Sequence, residues 1–422
     1  MARKMKDSGI EWIGEIPEGW ETINPKALFT QRKDRASKGE RQLTSSQQYG
    51  ILYQDEYMEL TGSKIVTVEK DFDILKHVEA GDFVISMRSF QGGLEYSTKS
   101  GAISSAYVML VPNLELVYPR FYRWLLKSSV YIDALQRTTN MVRDGQAMRY
   151  SNFAQVRLFT LPLDEQKSRA DFLDLECSSI DKILFKTRSS IEEYKKLKQA
   201  VITQAVTKGV RGEREMKDSG VEWIGEIPKE WDILNLVAHT SMLTPMRDRP
   251  ENLDGPIPWI RIEDFDGKYI SSSKASLGVS KETVRSMNLK IYPVGTILCT
   301  SSCIMGKCAI VSRELVSNQR FIGIIPDQNT CENFLYYLML SNSERMNYLA
   351  TGALQANLSR SSFEHLKVQF PSYQEQKEIS DYLDTKCAEI DKLIAKKEQL
   401  VKELESYKKS LIYEVATGKR EV

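Results

Sequence analysis

The sequence predicts an α+β protein written twice: two repeated α+β domains separated by two long helices that pair as an antiparallel coiled coil about a pseudo-two-fold axis. Three observations predict it. A motif near the start returns in the middle of the chain, two long segments free of Gly and Pro carry one heptad stripe each, and the stretches between them hold short β-rich runs punctuated by Gly and Pro.

The duplication comes first. MKDSGIEWIGEIPEGW (residues 5–20) recurs as MKDSGVEWIGEIPKEW (residues 216–231), identical at 13 of 16 positions with an offset of 211. Glu165, Gln166, Lys167, Asp171, Leu173, Asp174, Cys177, Ile180, Asp181 and Lys182 then recur 210 residues later, from Glu375 to Lys392. Between these segments only a skeleton is shared. Gly81, Gly92, Tyr107 and Pro112 align with Gly295, Gly306, Phe321 and Pro326 at an offset of 214, so both diverged stretches share one fold. The expected organisation is a first α+β domain over residues 1–162, a long helix over 163–212, a second α+β domain over 213–371 and a second long helix over 372–422.

Within the α+β stretches, residues 83–85, 106–111, 296–300 and 321–325 read as strands, and 121–126 and 334–340 as helices. Residues 165–206 and 375–415 read as the long helices. Their stripes match position for position: Leu173, Cys177, Ile180, Leu184, Ile191, Tyr194, Val201 and Ala205 in the first, and Leu383, Cys387, Ile390, Ile394, Val401, Leu404, Leu411 and Val415 in the second. Thr187 and Lys198 interrupt the first stripe where Lys397 and Lys408 interrupt the second. About forty residues at 1.5 Å rise give a rod of roughly 60 Å, which one apolar stripe cannot sustain alone in water. Each rod therefore needs a partner rod. Asp164 is placed to cap the first helix, Ser372 with Glu375 to form a capping box on the second, and Gly209 and Gly418 to end them. Trp12, Trp20, Trp223 and Trp231 recur in both repeats and read as core anchors.

Composition bounds the function. With 422 residues, 41% hydrophobic and 27% charged, the chain is expected to fold throughout. Its charged N-terminus has no apolar core behind it and no run is long enough to span a bilayer, so a cytoplasmic protein with reduced cysteines is expected. Lys plus Arg (58) nearly cancels Asp plus Glu (57), so any nucleic-acid surface must be local. The best local excesses are Arg120, Arg123, Lys127, Arg137, Arg143, Arg149 and Arg157, and the cluster Arg32, Lys33, Arg35, Lys38 and Arg41.

Motifs of catalysis are not found. His77, His239 and His365 have no metal-ligand spacing, and Cys299, Cys303 and Cys308 lack a fourth ligand. Gly306 and Lys307 do not belong to a P-loop, and no Gly-rich turn suits a dinucleotide or methyl donor. No acidic cluster of nuclease type appears in both repeats. No catalytic residue and no metal site are assigned.

Two diverged α+β domains alternating with two matched helices resemble the specificity subunits of type I restriction-modification systems. Each unit opens on Lys-Asp-Ser-Gly-(Ile/Val)-Glu-Trp-Ile-Gly-Glu-Ile-Pro. Each helix is entered through a Pro followed by Glu-Gln (Pro162 to Gln166, Pro371 to Gln376) and left through residues 205–209 or 415–419. The resemblance covers the whole chain. It implies that each variable domain is a target-recognition domain reading one half of a bipartite double-stranded DNA target, while the helices fix the separation and dock two modification (methyltransferase) subunits. Chemistry then lies with the partners: S-adenosylmethionine on the modification subunits, ATP and Mg on the restriction subunits, and no cofactor in this chain.

Readout calls for side chains that meet base edges, chiefly Arg or Lys on guanine and Asn or Gln on adenine. Loops aligned between the repeats offer Arg88 and Gln91 with Lys307, then Arg143, Gln146 and Arg149 against Gln355, Asn357 and Arg360. The competing classes are a coiled-coil adaptor and a stand-alone DNA-modifying enzyme with an unrecognised site.

Overall fold

The computed structural model describes residues 3–68, 72–86, 89–138, 148–246, 248–302, 306–350 and 358–422. It divides into two compact units, residues 1–188 with 399–422, and residues 189–398. The division follows packing rather than chain order. Each unit takes one α+β stretch and one end of each long helix.

Each unit opens on the repeated motif, and the reason for its repetition is local. In the first unit Met5–Asp7 pairs antiparallel with Glu15–Pro17; in the second Met216–Asp218 pairs with Glu226–Pro228 in the same register. Asp7 Oδ1 accepts the Gly9 N–H at 2.9 Å, and Asp218 Oδ1 accepts the Gly220 N–H at 2.9 Å. Both glycines are left-handed (φ 65° and 70°), a conformation that a Cβ would strain. A second short ladder, Glu21–Ile23 with Leu158–Thr160, ties the motif to the segment preceding the first long helix; Asp232–Asn235 with Lys367–Phe370 does the same for the second.

The central sheets also correspond. In the first unit the order is Phe29–Arg32, Val108–Pro112, Phe83–Ile85, Glu95–Tyr96, all antiparallel. In the second it is Thr240–Leu243, Phe321–Pro326, Ile297–Thr300, Cys308–Val311, extended by Tyr269–Ile270 on a parallel edge. The strands expected at 83–85 and 321–325 fall within these sheets, while those expected at 106–111 and 296–300 begin at Val108 and Ile297. Cys299 and Cys308 face one another across neighbouring strands, and the five described cysteines are all buried free thiols.

The long helices run over Leu163–Lys208 and Tyr373–Ala416. In the first unit Leu173, Cys177, Ile180 and Leu184 form one apolar cluster with Leu411 and Val415, flanked by Val401 and Leu404. Early residues of one helix meet late residues of the other, so the pairing is antiparallel. Ile191 and Ile390 are buried too. In the second unit Val201, Ile202 and Ala205 share a cluster with Leu383 and Cys387. The stripe interruptions are used rather than tolerated. Lys408 bonds Asp181 at 2.6 and 2.7 Å in the first unit, and Lys198 bonds Asp391 at 2.8 and 2.6 Å in the second, the same ion pair at the same repeat positions. Lys397 lies 5.7 Å from the centre of the Tyr194 ring, and Thr187 is buried.

Three local expectations are corrected. Asp164 lies inside the first turn, because the helix already begins at Leu163. Ser372 does cap with its Oγ, accepting the Glu375 N–H at 3.4 Å, but the Glu375 carboxylate turns to the Trp231 indole N–H at 3.0 Å instead of closing a capping box. Trp20 and Trp231 are fully buried, whereas Trp12 is half-buried and Trp223 exposed, with the Arg345 guanidinium 4.0 Å above its ring. Burying an indole removes roughly 150–250 Å² from water, about 4–6 kcal/mol at ~25 cal/mol per Å². That contribution comes from one tryptophan of each repeat, not two.

Candidate nucleic-acid interface

Conserved-looking polar residues of the two repeats turn out to be joints of the scaffold. Glu165 accepts the Trp20 indole N–H at 3.0 Å and bonds Arg3 and Arg169; Glu375 accepts the Trp231 indole and bonds Arg214 at 2.6 Å. Gln166 accepts the Tyr118 N–H (2.7 Å) and donates to the carbonyls of Leu116 and Leu161. Gln376 repeats this with Cys331 (2.7 Å), Asn329 and Pro371. Buried backbone groups at each helix start are thereby satisfied. Burial raises the Glu165 carboxyl, but hydrogen bonds from Arg3, Arg169 and Trp20 win and hold it at about 2.

Part of the first basic excess is used in the same way. Arg120 and Arg123 both bond Asp174 on the long helix, Lys127 bonds Glu95 at 2.7 Å, and Arg137 bonds Glu11 at 2.7 Å. Burial pushes Asp174 up, yet Arg120, Arg123 and Trp124 hold it below the ordinary carboxylate range. Glu95, more deeply buried, stays raised despite Lys127. In the second cluster Arg32 bonds Asp82 at 2.6 Å, Arg41 bonds Asp55 at 2.6 Å, and Arg35 donates to the Ile74 carbonyl at 3.0 Å. These cations hold the first unit together. Arg120, Arg123, Lys127, Arg137, Arg32 and Arg41 are thereby neutralised in pairs, which thins both patches.

Of the nine sequence candidates for DNA contact, Arg88, Arg143, Gln146, Gln355 and Asn357 lie outside the described residues. Gln91 has its backbone in the short helix Ser89–Gly92, and its side chain lies outside what the structure describes. Arg149 is exposed in front of helix Tyr150–Gln155, its N–H bonded to Asn152 Oδ1 at 3.0 Å. Arg360 is exposed at the start of helix Arg360–Glu364 and bonds Glu364 at 2.7 Å. The two arginines are not equivalent. At the local offset of 210, Arg149 corresponds to Ser359, the N-cap that receives the Ser362 N–H at 3.1 Å.

In the second unit Lys307 and the approach to Arg360 converge. Lys307 follows the left-handed Gly306 between strands Ile297–Thr300 and Cys308–Val311 and is exposed. Its carbonyl accepts the Thr300 N–H at 2.9 Å, and the Ser301 carbonyl next to it accepts the Leu358 N–H at 2.9 Å. The Ser301 N–H in turn donates to Arg320 O at 2.8 Å. One end of the sheet therefore presents Lys307, the chain leading to Arg360, and a turn of residues 318–320 that the pattern of matched residues passes over. The matched skeleton does bracket that turn, since Gly306 and Phe321 on either side keep the offset of 214. A readable signal lay in the mismatch between them.

Residues 232–403 match the family described as the type I restriction modification DNA specificity domain. The putative type I restriction enzyme MjaX specificity subunit of Methanocaldococcus jannaschii is 23% identical over 96% of this chain and 95% of its own length. In its residues 232–403, and at low identity over nearly its whole length, the chain is similar to the specificity subunits of type I restriction-modification systems. A second specificity subunit of that organism, MjaIX, is 34% identical over 41% of each chain, so in that alignment the chain spans less than half of its relative's length. Among solved structures, one reported as the structural basis of complex assembly and conformational transition of the type I R-M system has a TM-score of 0.74 at 12% identity, covering 96% of this chain and 99% of that one. At that identity the likeness concerns the fold alone. Among the described residues, no helix is long and apolar enough to cross a membrane, and no group of three His, Cys, Asp or Glu side chains is placed to hold a metal.

Proposed function

We propose that this chain, as a specificity subunit, reads a bipartite target in double-stranded DNA, one α+β domain per half-site, and contributes no catalytic group of its own. One observation carries the reading: the residues the repeats share are joints of the scaffold, such as Trp20 with Glu165 and Trp231 with Glu375, while the exposed loop residues at the sheet ends differ. Two copies of one frame with different loops suit two different half-sites.

The long helices are the docking elements for two modification subunits, one per repeat. Ile183 and Leu393 occupy the same repeat position, as do Leu197 and Tyr407, and all four are exposed apolar side chains. Exposed apolar positions that recur at one offset suit a partner present in two copies. S-adenosylmethionine then belongs to the modification subunits, and ATP and Mg to restriction subunits. The test is to purify the chain with its modification subunit and map the methylated positions on random DNA. A split target with an unread spacer is expected. Methylation at a short uninterrupted site overturns the reading, as does methyl transfer by the chain alone.

A further inference from the structure

We propose that the turn Asn318-Gln319-Arg320 is a base-reading element of the second domain, with the Arg320 guanidinium taking a guanine edge of double-stranded DNA. The inference rests on the DNA-recognition reading above and names where in the second domain that reading acts.

The Ser301 N–H bonds Arg320 O (2.8 Å) and the Ser301 carbonyl accepts the Leu358 N–H (2.9 Å), while Thr300 beside it is bonded to Lys307. The turn is thus tied by backbone bonds to the hairpin carrying Lys307 and to the chain leading to Arg360. Arg320 N–H donates to Asn318 Oδ1 at 3.1 Å, Asn318 N–H donates to the Ile260 carbonyl at 3.4 Å, and the buried Ser317 hydroxyl bonds the Tyr292 hydroxyl at 3.2 Å. A fixed backbone leaves Gln319 and Arg320 exposed, so little ordering is needed when DNA arrives.

Among the described residues Arg320 makes no ion pair, unlike Arg360, which is taken by Glu364. A planar guanidinium with free N–H groups matches guanine O6 and N7, and the exposed Gln319 amide beside it suits adenine.

At the offset of 214 the first unit has Ser104-Ser105-Ala106, flanked by strands Gly101–Ile103 and Val108–Pro112 as residues 318–320 are flanked by Val316–Ser317 and Phe321–Pro326. The turn is built alike, with Ala106 N–H donating to Ser104 Oγ at 3.3 Å where Arg320 N–H donates to Asn318. Scaffold is held and side chains change. Two domains that read different half-sites require that pattern.

The test uses the full chain with its modification subunit on duplexes randomised across the second half-site, at several salt concentrations. Arg320→Ala should cut discrimination at one G·C pair by roughly 5- to 150-fold and leave the first half-site and the other positions unchanged. The triple variant N318S/Q319S/R320A installs the first unit's own turn, so it should keep the melting temperature and lose the same preference. An equal fall for every sequence, with the salt slope reduced by about one, overturns the proposal in favour of a phosphate contact. Unchanged discrimination in both variants also overturns it. A wild-type complex with no sequence preference defeats the DNA-recognition reading itself, and a preference confined to the first half-site defeats only this turn.

Discussion

The two units meet one requirement with opposite chemistry. The last turn of a helix leaves carbonyls without intrahelical partners, and when it is buried something must donate to them. In the first unit the donor is Arg169, a guanidinium with only 1% of its surface exposed, which bonds Glu165 at 2.7 Å, Val415 O at 2.7 Å and Arg420 O at 3.0 Å. In the second unit the matching position is Ile379, also buried, and the carbonyl of Val206 is satisfied by Gln369 at 2.7 Å. Gln369 in turn matches Phe159, whose ring stacks on Trp20 at 5.0 Å. Charge plus aromatic in one unit is replaced by aliphatic plus amide in the other. What the fold demands at this joint is a donor for the helix end, not a particular residue.

The heaviest test of that comparison is Arg169→Ile, which copies one unit's residue into the other. It strips Glu165 of one of its two arginines, leaves the Arg420 carbonyl bare and leaves Val415 O only the Gly418 N–H at 3.3 Å, so a loss of about 3–5 kcal/mol is expected for the first unit. Denaturant unfolding, with hydrogen exchange at residues 411–420 to localise the damage, measures it. Adding Phe159→Gln supplies the amide that the second unit uses and should recover part of the loss. If the double variant is no better than the sum of its parts, the two joints are not alternative solutions to one problem.

A smaller effect follows from pH. The folded Glu165 carboxyl, at about 2, lies below its ordinary value of 4.5, so its contribution is complete above pH 4.5 and is lost as pH falls from there through 2. Stability of the first unit should therefore decline across that window. Glu165→Gln should start lower at neutral pH and show a shallower decline, and equal slopes in the two proteins would show that the carboxylate is not coupled to Arg3 and Arg169.

The smallest effect sharpens the likeness rather than the difference. Asp181→Asn and Asp391→Asn each remove one of the two equivalent lysine pairs, both solvent-exposed, so each should cost about 0.2–1 kcal/mol. The two losses should match and add, since the pairs share no partner. A large inequality would mean that the helix pairing is not repeated in energy as it is in geometry.

The sequence alone determined what is local and what is repeated. Heptad spacing placed the helices over 165–206 and 375–415, within a few residues of the observed Leu163–Lys208 and Tyr373–Ala416, and a constant offset aligned Gly81 to Pro112 with Gly295 to Pro326, because periodicity and duplication need no knowledge of neighbours. It was silent on contacts made across the chain. Arg120 and Arg123 read as a basic patch until the fold brings Asp174 to them from about fifty residues away, and Lys127 until Glu95 is placed beside it. Trp223 and Trp231 stand eight residues apart in one motif, yet only packing decides that the second is buried and the first exposed. Arg320 joins Lys307 only because backbone bonds from adjacent residues, Thr300 and Ser301, draw two loops together at one end of a sheet. Composition and spacing count charges, but which of them remain free depends on non-local pairing, and that is settled only when the chain has folded.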